Sequence, residues 1–253
     1  MRSFLFSSFF PLVLLFAGPV RAEEAPPRAL ACLSRWYAVR PVRVGDAWHA
    51  QVGAATFPWD DGRTKSFEEK LASPDLEDTF SQPYVSGPVR PVTRENEDPG
   101  RIRFDPLFLA TYGDRPARVD VVEIVFLGQR LKVHRKVAPA FLRVAERLER
   151  ALRDTPSLRP YLRSLGGTFS WRKIARTQRQ SAHSYGVSLD LNVALSHYWD
   201  WARPREPVRW TNQIPPAIVE AFEAEGFIWG GRWYHYDTMH FEYRPELLDA
   251  ACR

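Results

Sequence analysis

Cysteine and methionine are nearly absent, two of each in 253 residues. Two thiols exclude a disulfide-rich scaffold and a four-thiolate zinc site. Long apolar runs are also missing, apart from one at the very start. There Arg2 precedes an apolar stretch over residues 4–16, and Val20-Arg21-Ala22 has the small-x-small form of a cleavage site. As a helix that stretch spans only roughly 20 Å, less than the ~30 Å hydrocarbon core of a bilayer. It is therefore read as a secretory signal over residues 1–22, leaving no stable membrane insertion once it is removed near Ala22. Strong charge of one sign is lacking too. Removing residues 1–22 takes away two Arg and no acid, leaving 33 basic against 30 acidic residues. That excess gives no case for nucleic-acid binding, and it does not oppose approach to an anionic wall polymer. Repeats and low-complexity tracts are absent.

What the chain has is ordinary globular usage, 45% hydrophobic and 26% charged, with a heavy aromatic load and 21 Pro. It is long enough to bury a core. Residues 23–113 read as an irregular, loop-rich N-terminal extension. Within it Trp59-Asp60-Asp61-Gly62 marks a turn, and the Pro- and Gly-rich residues 83–100 mark a loop that drapes over the surface or borders a cleft. Residues 114–253 are more regular. A hairpin is expected over residues 119–134, turning through Gly128-Gln129 with the II′ geometry that Gly in the first central position suits. A helix follows over residues 138–154, with Phe141, Val144, Ala145, Leu148 and Leu152 at helical spacing and Pro139 in its first turn. Further elements are a strand at 168–171, a helix at 215–225 stopped by Gly226, and strands at 227–229 and 239–243. A hairpin first, helices later and no βαβ rhythm make an α+β fold, a small antiparallel sheet with flanking helices. Cys32 and Cys252, one near each end, are either a pair tying the termini together in an oxidising compartment or two unrelated thiols.

Of six His, His49, His134 and His197 stand in unremarkable surroundings. His183 and Asp190 stand in Ser181-Ala182-His183-Ser184-Tyr185-Gly186-Val187-Ser188-Leu189-Asp190. Donors around a zinc ion lie only about 3.4 Å apart. Seven residues separate Cα atoms by about 10 Å in a helix and about 23 Å in a strand. Convergence thus requires a bend, and Gly186 permits one. The second segment is Trp233-Tyr234-His235-Tyr236-Asp237-Thr238-Met239-His240-Phe241-Glu242-Tyr243. His240 completes a His/Asp/His set with an open fourth position, as a catalytic metal site needs, and Asp237 stands where a general base would. Read singly, these residues are equally a hydrogen-bonded core histidine and solvated turn acids.

Together the two segments resemble the zinc D-alanyl-D-alanine carboxypeptidases of the VanY type and their relatives, the L-alanyl-D-glutamate endopeptidases of phage endolysins. Ser181, His183, Gly186 and Asp190 match the first motif, with Ser188 where Ala is usual, and Asp237 and His240 match the second. The resemblance spans roughly residues 119–248 and implies a Hedgehog/DD-peptidase-like fold. It implies Zn2+ as cofactor, held by His183, Asp190 and His240. Asp237 is implied as general base, Arg172 (or Arg176) as the cation facing the oxyanion, and Ser181 as a substrate contact. The implied substrate is a peptidoglycan stem peptide, met in the periplasm or outside the cell. Carboxypeptidase members often carry Glu where Asp237 stands and endolysin members Asp, so both activities stay open, with carboxypeptidase preferred. A non-catalytic, zinc-retaining wall-binding module is the remaining alternative. Five Trp flank the site in sequence (Trp199, Trp201, Trp210, Trp229, Trp233) and are read either as sugar- or peptide-stacking rings or as core. His235 is left out of the ligand set.

Overall fold

The computed structural model describes residues 24–202 and 208–252; residues 1–22, read above as a secretory signal, lie outside them. The segment up to residue 113 is more regular than its sequence suggests. After helix α1 (Arg28–Leu33), strands β1 (Val39–Val44), β2 (Ala47–Val52) and β3 (Ala55–Pro58) form an antiparallel meander in the order β1-β2-β3. Gly45 and Gly53, both at positive φ, sit in its two turns. Pro41, with the cationic Arg40 and Arg43, hides β1 from a propensity reading, yet an edge strand tolerates Pro. Helix α2 (Phe67–Ala72) begins with a capping box between Ser66 and Glu69, which satisfies two otherwise orphaned donors. Residues 83–100 form no helix or strand, and helix α3 (Asp105–Tyr112) follows.

Strands β4 (Val121–Phe126) and β5 (Gln129–His134) make the expected hairpin, but its turn is one residue earlier. Phe126 pairs with Gln129, and the central residues are Leu127 and Gly128, at φ 50° and 78°. Two positive φ values make this type I′ rather than II′, the geometry whose twist matches that of the strands. Helix α4 (Ala138–Asp154) spans the expected residues and buries Phe141, Val144, Ala145 and Leu148. Strand β6 (Leu165–Gly167) lies three residues before the expected 168–171. The chain leaves the ladder at Thr168 because the carbonyl of Thr168 is taken by an imidazole, described below. Strand β7 (Ser188–Asn192), helix α5 (Pro216–Glu223), and strands β8 (Phe227–Trp229) and β9 (His240–Tyr243) complete the second half, before the short helix α6 (Pro245–Leu248).

Strands β6-β7-β9-β8 form a four-stranded antiparallel sheet. Side chains alternate across such a sheet. Leu189, Leu191 and Phe241 have no exposed surface on one face, where the Phe222 ring of α5 stacks on Phe241 at 4.0 Å between centroids. Asp190, His240 and Glu242 are left on the other face. One apolar cluster runs from Leu30 and Leu33 through Phe108 and Phe141 to Phe241, so the N-terminal segment and the sheet share a core. Phe108 of α3 meets Tyr185, inside the first motif, edge-on at 5.6 Å. Cys32 and Cys252 are disulfide-bonded, with Cα atoms 5.1 Å apart. They fasten α1 to the end of the chain. No helix among the described residues is long and apolar enough to cross a membrane.

Candidate metal centre and its cleft

Register does most of the assembly. Asp190 on β7 stands directly opposite His240 on β9, and directly paired residues on one face bring their side chains within contact. His240 Nδ1 lies 3.0 Å from Asp190 Oδ1. His183 arrives from a 3₁₀ turn, Ala182–Tyr185, capped by the Ser181 hydroxyl, which accepts from His183 N. The turn ends at Gly186, left-handed at φ 66°. A Cβ there would lie 2.8 Å from His134 N, so Gly186 is required by conformation and by space. This is the bend that lets two residues seven apart converge. His183 Nε2 lies 3.2 Å from Asp190 Oδ1.

Ligand atoms of His183, Asp190 and His240 all lie within 4.8 Å of one another. His183 Nδ1 bonds the carbonyl of Thr168 at 2.7 Å, which fixes the tautomer and leaves Nε2 facing Asp190. That Nε2 is buried with no hydrogen-bond partner; it is near Asp190 but off the line of a hydrogen bond. A buried, aimed and unpartnered imidazole nitrogen is costly unless a cation takes its lone pair. Two imidazoles and one carboxylate are a donor set suited to zinc. On the far side of His240, Nε2 lies 3.5 Å from Glu242 Oε2. Glu242 is itself held by Arg103 at 3.2 Å and Arg244 at 3.5 Å.

The electrostatics follow from burial and crowding. Burial alone would raise Asp190 and Glu242. The two imidazoles overcome it at Asp190, and Arg103 together with His240 overcomes it at Glu242, so both carboxyls are held well below the usual range. Burial would depress His240, but its bonds to Asp190 and Glu242 lift it to about 10. Asp237 behaves oppositely. Burial and then the charge of Asp190 push it up to about 7. Its Oδ1 is buried and unpartnered, while its backbone N–H donates to Gly230 O at 3.0 Å. A Cβ on Gly230 would lie 2.5 Å from Asp237 O, so the tight turn before the second motif depends on glycine.

These groups line a cleft of about 300 Å³ that also takes in Ser181, Arg172 and Trp199. Arg172 is exposed on the cleft wall, its carbonyl accepting from Ser181 N at 3.0 Å. Arg176 pairs with Asp200 and does not line the cleft. The five Trp divide. Trp199, Trp201 and Trp233 line the cleft, Trp229 is wholly core, and Trp210 packs on the core while its indole donates to Gly231 O at 2.8 Å. A larger cavity of about 630 Å³ opens near Trp59 and Lys65, but its buried Lys65 is already paired with Asp61, Asp75 and Asp78. Convergent unpaired polar groups, rather than volume, mark the site. None of His49, His134 and His197 lines the cleft.

Three participants were not singled out from the sequence: Asp98, Arg101 and Arg103. All come from the N-terminal segment, and the one signal for them was the Pro- and Gly-rich loop read as bordering a cleft. His235, set aside as a ligand, is outside the His/Asp/His group but lines the cleft.

Residues 175–243 match the family model described as D-alanyl-D-alanine carboxypeptidase. The match spans both motifs and supports the VanY-like resemblance for about a quarter of the chain. No solved structure matches the chain.

Proposed function

We propose that the protein is a zinc-dependent peptidase that hydrolyses a peptide bond in peptidoglycan stem peptides, of the D-alanyl-D-alanine carboxypeptidase type. The observation that carries this reading is the convergence of His183, Asp190 and His240, with Asp237 in the same cleft. Those three residues are the proposed ligands. When bound, zinc would supply Lewis-acid polarisation of the scissile carbonyl.

The chain's own residues do the rest. Asp237, buried in the cleft beside Asp190, is the carboxylate placed for proton transfer. It takes the proton of the attacking water and passes it to the departing amine. Arg172 opposes the negative charge that grows on the carbonyl oxygen. Glu242, pinned by Arg103 and Arg244, keeps the His240 ring oriented. Ser181 caps the turn that carries His183 and reaches the substrate from the cleft wall. A pure binding module has no use for Asp237, a carboxylate held at energetic cost beside another. A disulfide between Cys32 and Cys252 is consistent with export to an oxidising compartment, the periplasm or beyond.

Digestion of purified muropeptides, with and without chelator, tests the proposal by product mass. Chelator-sensitive loss of one alanine supports a carboxypeptidase. Scission between L-alanine and D-glutamate moves the assignment to the endopeptidase type. Intact muropeptides under both conditions overturn hydrolysis altogether.

A further inference from the structure

A buried carboxylate from outside the family match stands behind a residue of the cleft wall. Asp98, at the end of the 83–100 loop, has no exposed surface. Its Oδ1 accepts from His235 N at 2.9 Å, and its Oδ2 lies 2.6 Å from His235 Nδ1. Arg101 Nη1 donates to the same Oδ2 at 2.6 Å, and the Asp98 N–H is taken by Gln82 Oε1 at 2.7 Å. Asp98 Oδ2 is shared between Arg101 and His235, so Nδ1 is the ring nitrogen that turns its hydrogen toward the carboxylate. A neutral imidazole has one donor and one acceptor nitrogen. With Nδ1–H spent on Asp98, Nε2 keeps its lone pair.

The ring is also fixed by packing. Trp199 meets it edge-on at 4.6 Å, and Phe67 of α2 stacks at 6.5 Å. His235 lines the cleft beside Asp237 and His240. Its Nε2 is neither buried without a partner nor hydrogen-bonded among the described residues. Arg101 and Arg172, which line the same cleft, can only donate. An orienting carboxylate behind a packed imidazole that lines a cleft, with Nδ1 engaged and Nε2 unbonded among the described residues, is an arrangement suited to accepting a hydrogen bond.

We propose that Asp98 holds His235 as a neutral acceptor whose Nε2 takes a peptide N–H of the bound stem peptide, so that the N-terminal segment completes the substrate site. This rests on the peptidase reading and adds to it a substrate-contacting residue, His235, and a positioning residue, Asp98.

The full-length, metal-loaded protein tests it in two ways. Imidazole 15N shifts of His235 in the unmodified protein are expected to show a protonated Nδ1 and a bare Nε2; a protonated Nε2 overturns the proposal without any variant. Binding of a pentapeptide muropeptide is then measured calorimetrically in an Asp237→Asn background that suppresses turnover. His235→Ala is expected to weaken binding about five- to tenfold, the loss of one hydrogen bond, with metal stoichiometry unchanged. His235→Gln, which keeps an acceptor near the Nε2 position, should recover to within about threefold of the parent. Asp98→Asn should shift the His235 tautomer and weaken binding. Unchanged binding in His235→Ala, or His235→Gln no better than His235→Ala, refutes the contact. If Asp237-containing protein turns over muropeptides while His235→Ala binds normally, the peptidase reading stands and this inference falls. If there is no turnover but His235→Ala weakens binding, the contact stands and catalysis falls.

Discussion

Asp237→Asn separates a catalytic base from a metal ligand and from a structural acid. Burial and Asp190 lift Asp237 from an ordinary 3.8 to about 7 in the folded protein. A raised carboxyl binds its proton more tightly folded than unfolded. Its ionisation therefore costs nothing below pH ~4, costs progressively more between 4 and 7, and costs its full amount above 7. Roughly three pH units at about 1.4 kcal/mol each give about 4 kcal/mol of native-state penalty above neutrality. The amide of Asn has the same shape and no charge. Its NH2 adds donors at a site whose Oδ1 is already buried without a partner, at a cost of about 1–2 kcal/mol. Metal-stripped Asp237→Asn should accordingly be about 2–3 kcal/mol more stable than the parent in urea at pH 8, and the gain should fade as the pH drops toward 4. In the zinc-loaded protein the same change should leave metal stoichiometry intact and lower kcat by about 10²–10⁴. His240→Ala should lose metal and turnover together. Equal metal loss in both variants would make Asp237 a ligand. A metal-free Asp237→Asn that is no more stable than the parent at pH 8 would refute the electrostatic strain.

Three further outcomes are expected. Gly186→Ala forces a side chain into a left-handed turn against His134 N, costing about 1–2 kcal/mol for conformation alone; zinc titration should show weakened binding because the His183 turn moves, and unchanged affinity would disconnect that turn from the ligand set. Cys32→Ala opens a disulfide with a sequence separation of 220, and chain-entropy arithmetic gives about 5 kcal/mol lost in denaturant unfolding; a loss below about 1 kcal/mol would mean the termini are held by packing. Ser188→Ala removes a buried hydroxyl without a partner on β7, so thermal unfolding should show a gain of about 1 kcal/mol, and a loss would reveal a hydrogen bond made by that hydroxyl.

Much of the regular structure was legible because it rests on local pattern. Helix α4 follows from its apolar spacing and its early Pro139, and β8 from a short apolar run between Gly226 and Gly230. The meander over residues 39–58 was hidden, since strands carrying Pro41, Arg40 and Arg43 earn their stability from pairing rather than composition. The hairpin turn shifted by one residue because register, rather than the position of Gly128, decides which residues are central. Strand β6 moved because Thr168 gives its carbonyl to His183, a tertiary bond that no local propensity encodes.

The candidate site divides along the same line. The linear order of residue types singled out His183, Asp190, Asp237 and His240 as the proposed site, and determined through Gly186 that the chain bends between the first two. Only the tertiary structure decided that Asp190 faces His240 across adjacent strands, that Asp237 is crowded by Asp190, and that Arg101 and Arg103 reach the cleft, with Asp98 behind His235, from a segment with no motif. A motif records groups that must sit close along the chain, whereas hydrogen bonds spanning more than a hundred residues exist only once the shared core has closed.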